Sequence, residues 1–237
     1  MIVKHSERAA PIVAVDNALF PTLSEQLAQR IADAILEERF APGARLKEVD
    51  LASTYGVSRA SIREALRLLD NRGLVRIEPR RGARVTLLSA EEVDDLYEIR
   101  ASLLAVAARR VALRGDAAVV AAAQRLLARV AQHSSDPSHG KYFEAVYALS
   151  QLIAESSGSE RLSGLVRSFS QQVARYTRLS LRSVERRRKS AQNWKRLVRA
   201  LEMRDAPLAE DVMRQLVTGS QEAIREVLRA GSGRRAA

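Results

Sequence analysis

Residues 48–69 constrain the fold of this chain more than any other stretch. Apolar residues at helical spacing in its first half predict the buried face of a short helix. They are Leu51, Ala52 and Tyr55. Gly56 follows, where the chain must turn and a residue that tolerates positive φ is favoured. Ser58 then stands where the N-cap of a second helix belongs, since its hydroxyl can accept a hydrogen bond from a free backbone N–H.

The second helix of this stretch has two distinct faces. Its apolar stripe consists of Ile62, Ala65, Leu66 and Leu69. Arg59, Arg63 and Arg67 lie four apart on another face. A recognition helix in the major groove of DNA requires this arrangement, because its first turn must reach phosphates and base edges. A row of arginines is also typical of an ordinary solvated face, which is the alternative interpretation.

Residues 70–88 predict a small β-hairpin directly after this helix. Residues 74–77 and 84–88 are strand-like, and Pro79 to Gly82 form a turn signal between them. Arg80 and Arg81 therefore lie at the tip. A basic hairpin beside a recognition helix is a wing, suited to phosphates or to the minor groove. The alternative is an ordinary exposed turn.

Residues 22–88 resemble the winged-helix domain of GntR-family transcription regulators. The matching segments are PGARLKEVDLA (42–52), GVSRASIREALRLLDNRGLV (56–75) and PRRGARV (79–85). The resemblance implies binding to a double-stranded DNA operator, mainly through the start of the recognition helix and the wing tip.

Carried over residue by residue, the resemblance implies a set of DNA contacts. They are Ser58, Arg59, Ser61 and Arg63 on the helix and Arg81 and Gly82 on the wing. Arg67 joins this set because it lies on the same helical face. Two positions depart from the family pattern. Val49 stands where some members have a DNA-contacting arginine, and Ala60 stands where a hydroxyl residue is usual.

Composition narrows the class of protein. The chain has 237 residues, enough for two modest domains, and 46% of them are apolar. It has no cysteine, which excludes disulfides and thiolate metal sites and suits a cytoplasmic protein. We find neither an apolar run that could span a membrane nor a signal-peptide core in the first 15 residues. The sequence therefore predicts no membrane partner.

The net charge of +11 favours an acidic partner such as nucleic acid. Residues 1–88 hold 14 Lys and Arg against 11 Asp and Glu, whereas the remainder holds 25 against 17. Charge alone therefore does not locate the DNA site, and the helix-turn-helix pattern does.

We predict a mainly α fold, with an N-terminal winged helix-turn-helix domain and a C-terminal all-α helical bundle. The predicted divisions are a flexible arm (1–20), the winged helix (21–88), the bundle (89–230) and a disordered tail (231–237). Six helical stretches are expected in the bundle, at about 90–114, 116–133, 141–157, 159–184, 186–204 and 206–230.

The helical half resembles the FadR-type branch of the family, whose C-terminal part is an FCD effector-binding domain. The matching segments are LYEIRASLLAVAARRVA (96–112), AESSGSERL (154–162) and ALEMRDAPLAEDVM (200–213). The resemblance implies a homodimer on a pseudo-palindromic operator and a small-molecule effector, with repression as the commoner mode. Usual effectors in this branch are carboxylic acids, sugar acids or acyl-CoA.

Many domains of this branch bind a metal through one Asp and three His. The corresponding positions here are Val146, Ser150, Trp194 and Leu216. None of these ligates a divalent metal well. The three histidines of the chain are His5, His133 and His139, in the predicted arm and at a predicted loop. We therefore predict no metal and no cofactor.

The predicted effector pocket comprises Arg100, Val146, Ser150, Trp194 and Leu216. With apolar residues in place of metal ligands, the pocket either holds an apolar or larger ligand or is filled by side chains. A basic stretch follows over residues 175–199, where Glu185 is the only acid. It is either a solvated helical face, a site for an anionic effector, or a contact with DNA phosphates.

Three functions compete. The first is a ligand-responsive DNA-binding transcription regulator, and the second is a constitutive or architectural DNA-binding protein without an effector. The third is an enzyme on a helical bundle. The last is disfavoured, because the sequence has no cysteine, few histidines, and neither a Ser-His-Asp pattern nor a glycine-rich phosphate loop.

Overall fold

The computed structural model describes the backbone of residues 21–233 and the side chains of residues 21–229. The predicted arm over residues 1–20 lies outside the described residues. The N-terminal unit contains α1 (Leu23–Leu36), β1 (Arg45–Leu46), α2 (Glu48–Tyr55), α3 (Arg59–Asn71), β2 (Val75–Glu78) and β3 (Gly82–Val85). The C-terminal unit contains α4 (Ala90–Arg114), α5 (Ala117–His133), α6 (Gly140–Glu155), α7 (Glu160–Ser180), α8 (Val184–Glu202) and α9 (Ala206–Gly233). The predicted fold class is confirmed.

Short polar side chains fix the starts of several helices, and Ser58 caps α3 as predicted. Thr22 and Ser89 form capping boxes with Glu25 and Glu92. Each cap contributes about 1 kcal/mol by satisfying an otherwise free N–H. Helix α1 stops at Leu36, and the backbone turns left-handed two residues later, at Glu38 with φ 63°.

The winged helix packs its three helices on a small antiparallel sheet of order β1-β3-β2. Its core combines the α1 and α3 stripes with one face of the sheet. That core includes Leu27, Ile31, Ile35, Ile62, Leu66, Leu69, Val75 and Val85. The two-residue strand β1 was not predicted, since a strand this short leaves no periodicity in the sequence. It pairs with β3 through Arg45 opposite Arg84.

The bundle is arranged around α4, which contacts α6, α7, α8 and α9. Its core is mainly aliphatic, and its buried aromatic rings are Tyr97, Tyr142, Phe143, Tyr176 and Trp194. All six predicted helical stretches are present. Two helix ends differ most from the prediction: α7 ends at Ser180 rather than near residue 184, and α9 continues to Gly233, into the predicted tail. Glycine has a low helix propensity but can adopt helical φ and ψ. The long preceding helix therefore continues past Gly231.

Among the described residues, two polar contacts join the winged helix to the bundle. The backbone N–H of Leu88 donates to the Tyr176 hydroxyl at 3.1 Å. Arg182 donates to both carboxylate oxygens of Glu38, at 2.9 and 3.1 Å. The bundle therefore contacts the winged helix near the C-terminal end of α1, where Glu38 lies.

Candidate nucleic-acid interface and bundle cavity

The recognition helix α3 begins with two hydroxyls that bond to each other. Ser58 Oγ accepts from the Ser61 backbone N–H at 3.1 Å and lies 2.9 Å from Ser61 Oγ. The side chain of Arg59, the first residue of the helix, is exposed and has no hydrogen bond within the described chain, although its charge helps to lower the pKa of Glu48. Its guanidinium lies next to the helix N-terminus, where partial positive charge also attracts phosphate.

Arg63 is exposed as predicted but is not free. It donates from Nε to Glu48 Oε1 at 3.1 Å and from Nη2 to Glu48 Oε2 at 2.8 Å. The pKa of Glu48 is lowered, chiefly by this hydrogen bond, and the pKa of Arg63 is raised by the same contact. Arg67, one turn further, lies 3.5 Å from Glu64. Glu48, which comes from α2, was not predicted as a partner of Arg63.

The wing turns over three residues between Glu78 and Gly82, which are paired in the sheet. Arg80 and Gly82 both adopt positive φ, at 64° and 85°. The Arg81 N–H donates to the Glu78 carbonyl at 3.1 Å and closes the turn. Arg81 is exposed at the tip. The left-handed backbone explains a glycine at position 82, where a side chain would be strained.

Three arginines lie side by side on the exposed face of the sheet. Arg84 on the central strand is paired in register with Arg45 on β1 and with Arg76 on β2. Arg84 donates to the Gly43 carbonyl at 3.1 Å and lies 3.9 Å from Glu78. Arg45, Arg76 and Arg84 are not among the predicted DNA contacts. Alternation in β2 and β3 could have placed the latter two on one face, but nothing local predicts the pairing with Arg45.

The structure brings all five predicted effector-pocket residues to the wall of one cavity in the bundle. Arg100, Val146, Ser150, Trp194 and Leu216 line it. The remaining wall includes Phe143, Tyr147, Ser170, Thr177, Ser190, Met213 and Ser220. The cavity volume is about 30 Å³, close to the space of one water molecule. The residues meet as predicted, whereas their role in binding an effector stays a prediction.

Arg100 is a buried cation without a carboxylate partner in the described structure. It is 6% exposed, and its recorded hydrogen bond runs from Nε to Ser170 Oγ at 3.0 Å. Burial lowers the pKa of Arg100, and the charges that oppose this effect belong only to Tyr97 and Tyr147. A buried guanidinium normally has an anionic partner, because desolvation is costly. The cavity is therefore electrostatically suited to an anion.

A second guanidinium lies behind the cavity wall. Arg186 donates from Nη2 to Ser220 Oγ at 3.2 Å, and its Nε is buried without a hydrogen-bond partner within the described residues. Burial lowers the pKa of Arg186 as it does for Arg100. Tyr97 lies near both cations, and its own pKa is raised by burial to about 12. This part of the bundle is thus buried and positively charged.

A cleft of about 450 Å³ separates the winged helix from the bundle. Residues of α1, including Asp33 and Leu36, line one side, and residues of α6 and α7 line the other. Phe143 and Tyr147, whose ring centroids are 5.7 Å apart, line both this cleft and the bundle cavity. The two aromatic rings therefore form a wall between the two spaces.

The basic stretch over residues 175–199 does not form one solvated face. Arg187 is fully buried and donates to four backbone carbonyls, those of Ser134, Asp136, Leu181 and Arg182. Arg186 points towards Ser220, whereas Arg188, Lys195 and Arg199 are exposed. Sequence reasoning could not separate these roles, because the charges are adjacent along the chain.

The four positions aligned with the family's metal ligands do come together, but with Val, Ser, Trp and Leu side chains. Among the described residues, no three or more His, Cys, Asp or Glu side chains are grouped closely enough to hold a metal ion. Absence of a metal stays a prediction. Along the described part of the chain, no helix is both long and apolar enough to cross a membrane.

A winged helix with an arginine-bearing recognition helix, joined to a helical bundle with an internal cavity, is the architecture of a DNA-binding transcription regulator. Family models agree: "Bacterial regulatory proteins, gntR family" matches residues 23–85, and "FCD domain" matches residues 95–219. The chain belongs to the GntR family of transcription regulators, in the branch that carries an FCD domain.

Individual relatives support this assignment. An uncharacterized HTH-type transcriptional regulator of Bacillus subtilis, YdhC, is 40% identical over 91 residues, which cover 38% of this chain and 41% of the relative. BphR of Paraburkholderia xenovorans, also an uncharacterized HTH-type regulator, is 38% identical over 122 residues, half of each chain. The chain thus spans half or less of the length of these relatives. E. coli McbR/YncC has the same fold, with a TM-score of 0.77 at 18% identity over 88% of this chain and 100% of that chain.

Proposed function

We propose that this protein is a sequence-specific DNA-binding repressor that acts as a homodimer in the cytoplasm and responds to a small anionic effector. The observation that carries the DNA-binding part is the exposed Arg59 at the capped start of α3, beside an arginine-tipped wing. The partial positive charge at the helix N-terminus, the guanidinium groups and the wing are all suited to a DNA groove lined by phosphates. We infer base contacts from Ser58, Arg59, Ser61, Arg63 and Arg67, and wing contacts from Arg81 and Gly82.

A partly exposed apolar seam on α4 supports the homodimer. Apolar side chains recur three and four residues apart at Leu96, Ile99, Leu103 and Val106, and Leu113 follows two turns later. Leu96, Leu103 and Val106 are partly buried against the bundle core. Ile99 is 44% and Leu113 65% exposed. Neighbouring α7 exposes Leu165 as well. A stripe with this spacing is the surface that a second helix packs against. A second copy of this chain would place two recognition helices on a two-fold axis, and hence two half-sites on the operator.

The charge of the cavity supports an anionic effector. Arg100 offers guanidinium donors there without a carboxylate partner, and hydroxyls of Ser150, Ser170 and Thr177 surround it. A small carboxylate could bind Arg100 directly, without the metal that many domains of this branch use. A site this small must open to admit more than a few atoms.

The size of the cavity also favours a second candidate, a constitutive DNA-binding protein without an effector. At about 30 Å³, the space is close to filled by Trp194, Leu216 and their neighbours. The two candidates share the DNA-binding unit and differ only in the response of the bundle.

One experiment tests the proposed function in two stages. Duplexes bound by the wild-type protein are enriched from a random pool, and the selected sequence is inspected for inverted half-sites. Thermal unfolding is then followed with formate, acetate and lactate at constant ionic strength. Enrichment of an inverted repeat and a stabilising anion support the regulator. Enrichment without any stabilising anion favours the constitutive protein, and no enrichment contradicts sequence-specific binding.

A further inference from the structure

The exposed face of the wing sheet carries a row of cations that the recognition-helix contacts do not use. Arg45, Arg84 and Arg76 occupy directly opposite positions on three neighbouring strands. Facing side chains on paired strands are only about 5 Å apart, so like charges here repel one another. The side chains of Arg45 and Arg76 have neither a hydrogen bond nor an ion pair among the side chains described, residues 21–229. We propose that this arginine row binds DNA phosphates beside the wing tip, an inference that rests on the proposed DNA-binding function.

The side chain of Arg45 reaches towards the wing tip. A Cβ atom placed on Gly82 would lie 3.8 Å from Arg45 Nε and 3.9 Å from Arg45 Nη2. The guanidinium of Arg45 therefore lies over the bare backbone of Gly82, next to the exposed Arg81. A residue from β1, before the helix-turn-helix, thus adds a cation to the tip of a hairpin that follows it.

The spacing of the row fits the edge of a groove. Arg84 is two residues behind Gly82 on β3, and two residues of strand span roughly 7 Å. The minor groove is about 7.5 Å deep. When the tip lies in that groove, Arg84 and its neighbours stand near its rim, where the phosphates are. Glu78 lies 3.9 Å from Arg84 and pairs with it, whereas the described side chains form no ion pair with Arg45 or Arg76.

Phosphate contacts are detected from the way DNA affinity depends on salt concentration. The logarithm of the binding constant falls with the logarithm of salt concentration by about 0.9 per neutralised phosphate. The test uses the full chain, the duplex selected by the wild-type protein and a scrambled duplex of equal length. Arg45→Gln and Arg76→Gln are compared with Arg30→Gln, which removes an exposed arginine of α1 that also has no recorded partner in the described structure.

We expect each row variant to lower the salt slope by about 0.9, and the double variant Arg45→Gln/Arg76→Gln by about twice that. Each row variant should lose affinity by the same factor on both duplexes, because phosphates carry no sequence information. Arg30→Gln should keep the wild-type slope. Row variants should unfold at or above the wild-type temperature, since like charges have been removed from the row.

Unchanged slopes in Arg45→Gln and Arg76→Gln would overturn the inference while leaving the proposed function intact. A loss confined to the selected duplex would also overturn it, because that result indicates base contact. A wild-type protein that selects no duplex refutes the proposed function itself, and the inference with it. The two failures are therefore distinguishable.

Discussion

Arg63 of the recognition helix donates both of its recorded hydrogen bonds to one carboxylate, that of Glu48 on the preceding helix. The pair joins α2 to α3 on the surface that we assign to DNA. Arg63 is therefore held in one orientation before DNA arrives. The same contact places a negative charge beside the phosphates, so Glu48 orients the arginine and partly neutralises it.

Substitutions of the pair should separate these two effects. Arg63→Ala should weaken binding to the selected duplex about tenfold or more, because a bidentate arginine contact to DNA is lost. The substitution also leaves Glu48 without its partner. Glu48→Gln should strengthen binding to a scrambled duplex but lower the ratio of selected to scrambled affinity, since Arg63 is no longer oriented. Affinities of both single variants and the double variant measure the coupling. A selectivity ratio for Glu48→Gln equal to that of the wild type would contradict the orienting role.

Both variants should stay folded near neutral pH, because exposed ion pairs contribute little to stability. Since Arg63 holds the pKa of Glu48 below 4.5, whatever the pair contributes is present above that pH. It is lost only as the pH falls through the lowered pKa. Circular dichroism of each variant is the control for folding.

Arg100→Met should raise the unfolding temperature of the anion-free protein. The substitution removes a buried charge without a carboxylate partner and keeps an apolar side chain of similar length. A rise of about 2–4 °C is expected for each kcal/mol of added stability. The same variant should lose any stabilisation by formate or acetate. Arg125→Met, at an exposed position on α5, is the matched control and should keep the anion response of the wild type. A wild-type-like anion response in Arg100→Met would exclude Arg100 from the site.

Tyr97 and Tyr142 should resist ionisation until the protein unfolds. Burial raises the pKa of both phenols to about 12. A raised pKa in the folded state means that the stabilisation is complete below the ordinary value of 10 and is lost as the pH rises from 10 towards 12. Tyrosinate absorbance and circular dichroism, followed together in this range, should change at the same pH for these residues. Early ionisation of all five tyrosines with the fold intact would show that these rings are reached by solvent.

Ile99→Asp should convert the proposed dimer into monomers. A carboxylate in the α4 seam would have to be desolvated against the facing helix. Sedimentation at micromolar concentration should show half the wild-type mass, and affinity for a two-half-site duplex should fall more than affinity for a single half-site. Met203→Asp, at a 61% exposed position between α8 and α9, should leave the mass unchanged. If the Ile99→Asp protein is still a dimer, the dimer interface lies on another surface.

The local features of this fold were predictable because their causes are local. Ser58 and Ser89 begin helices through contacts three residues away, and Gly56 turns the chain with positive φ. Such spacing is visible in any sequence. The cavity could be anticipated for another reason: the family resemblance places Val146, Ser150, Trp194 and Leu216 at positions that converge.

The features that could not be predicted depend on contacts between residues that are far apart in the sequence. Glu48 and Arg63 are 15 residues apart on different helices, and Arg45 meets Gly82 only through the three-stranded sheet. Arg187 lies in a basic run but is buried, because four carbonyls converge on its position. Adjacent residues with the same charge carry no sequence signal that tells a buried cation from a solvated one.

The aromatic wall formed by Phe143 and Tyr147 has a mechanical consequence. Since these two residues line both the bundle cavity and the cleft to the winged helix, a displacement of their rings towards the cleft would enlarge the cavity and narrow the cleft. A ligand that enters the bundle by moving these rings would therefore also act on the surface that faces the DNA-binding unit.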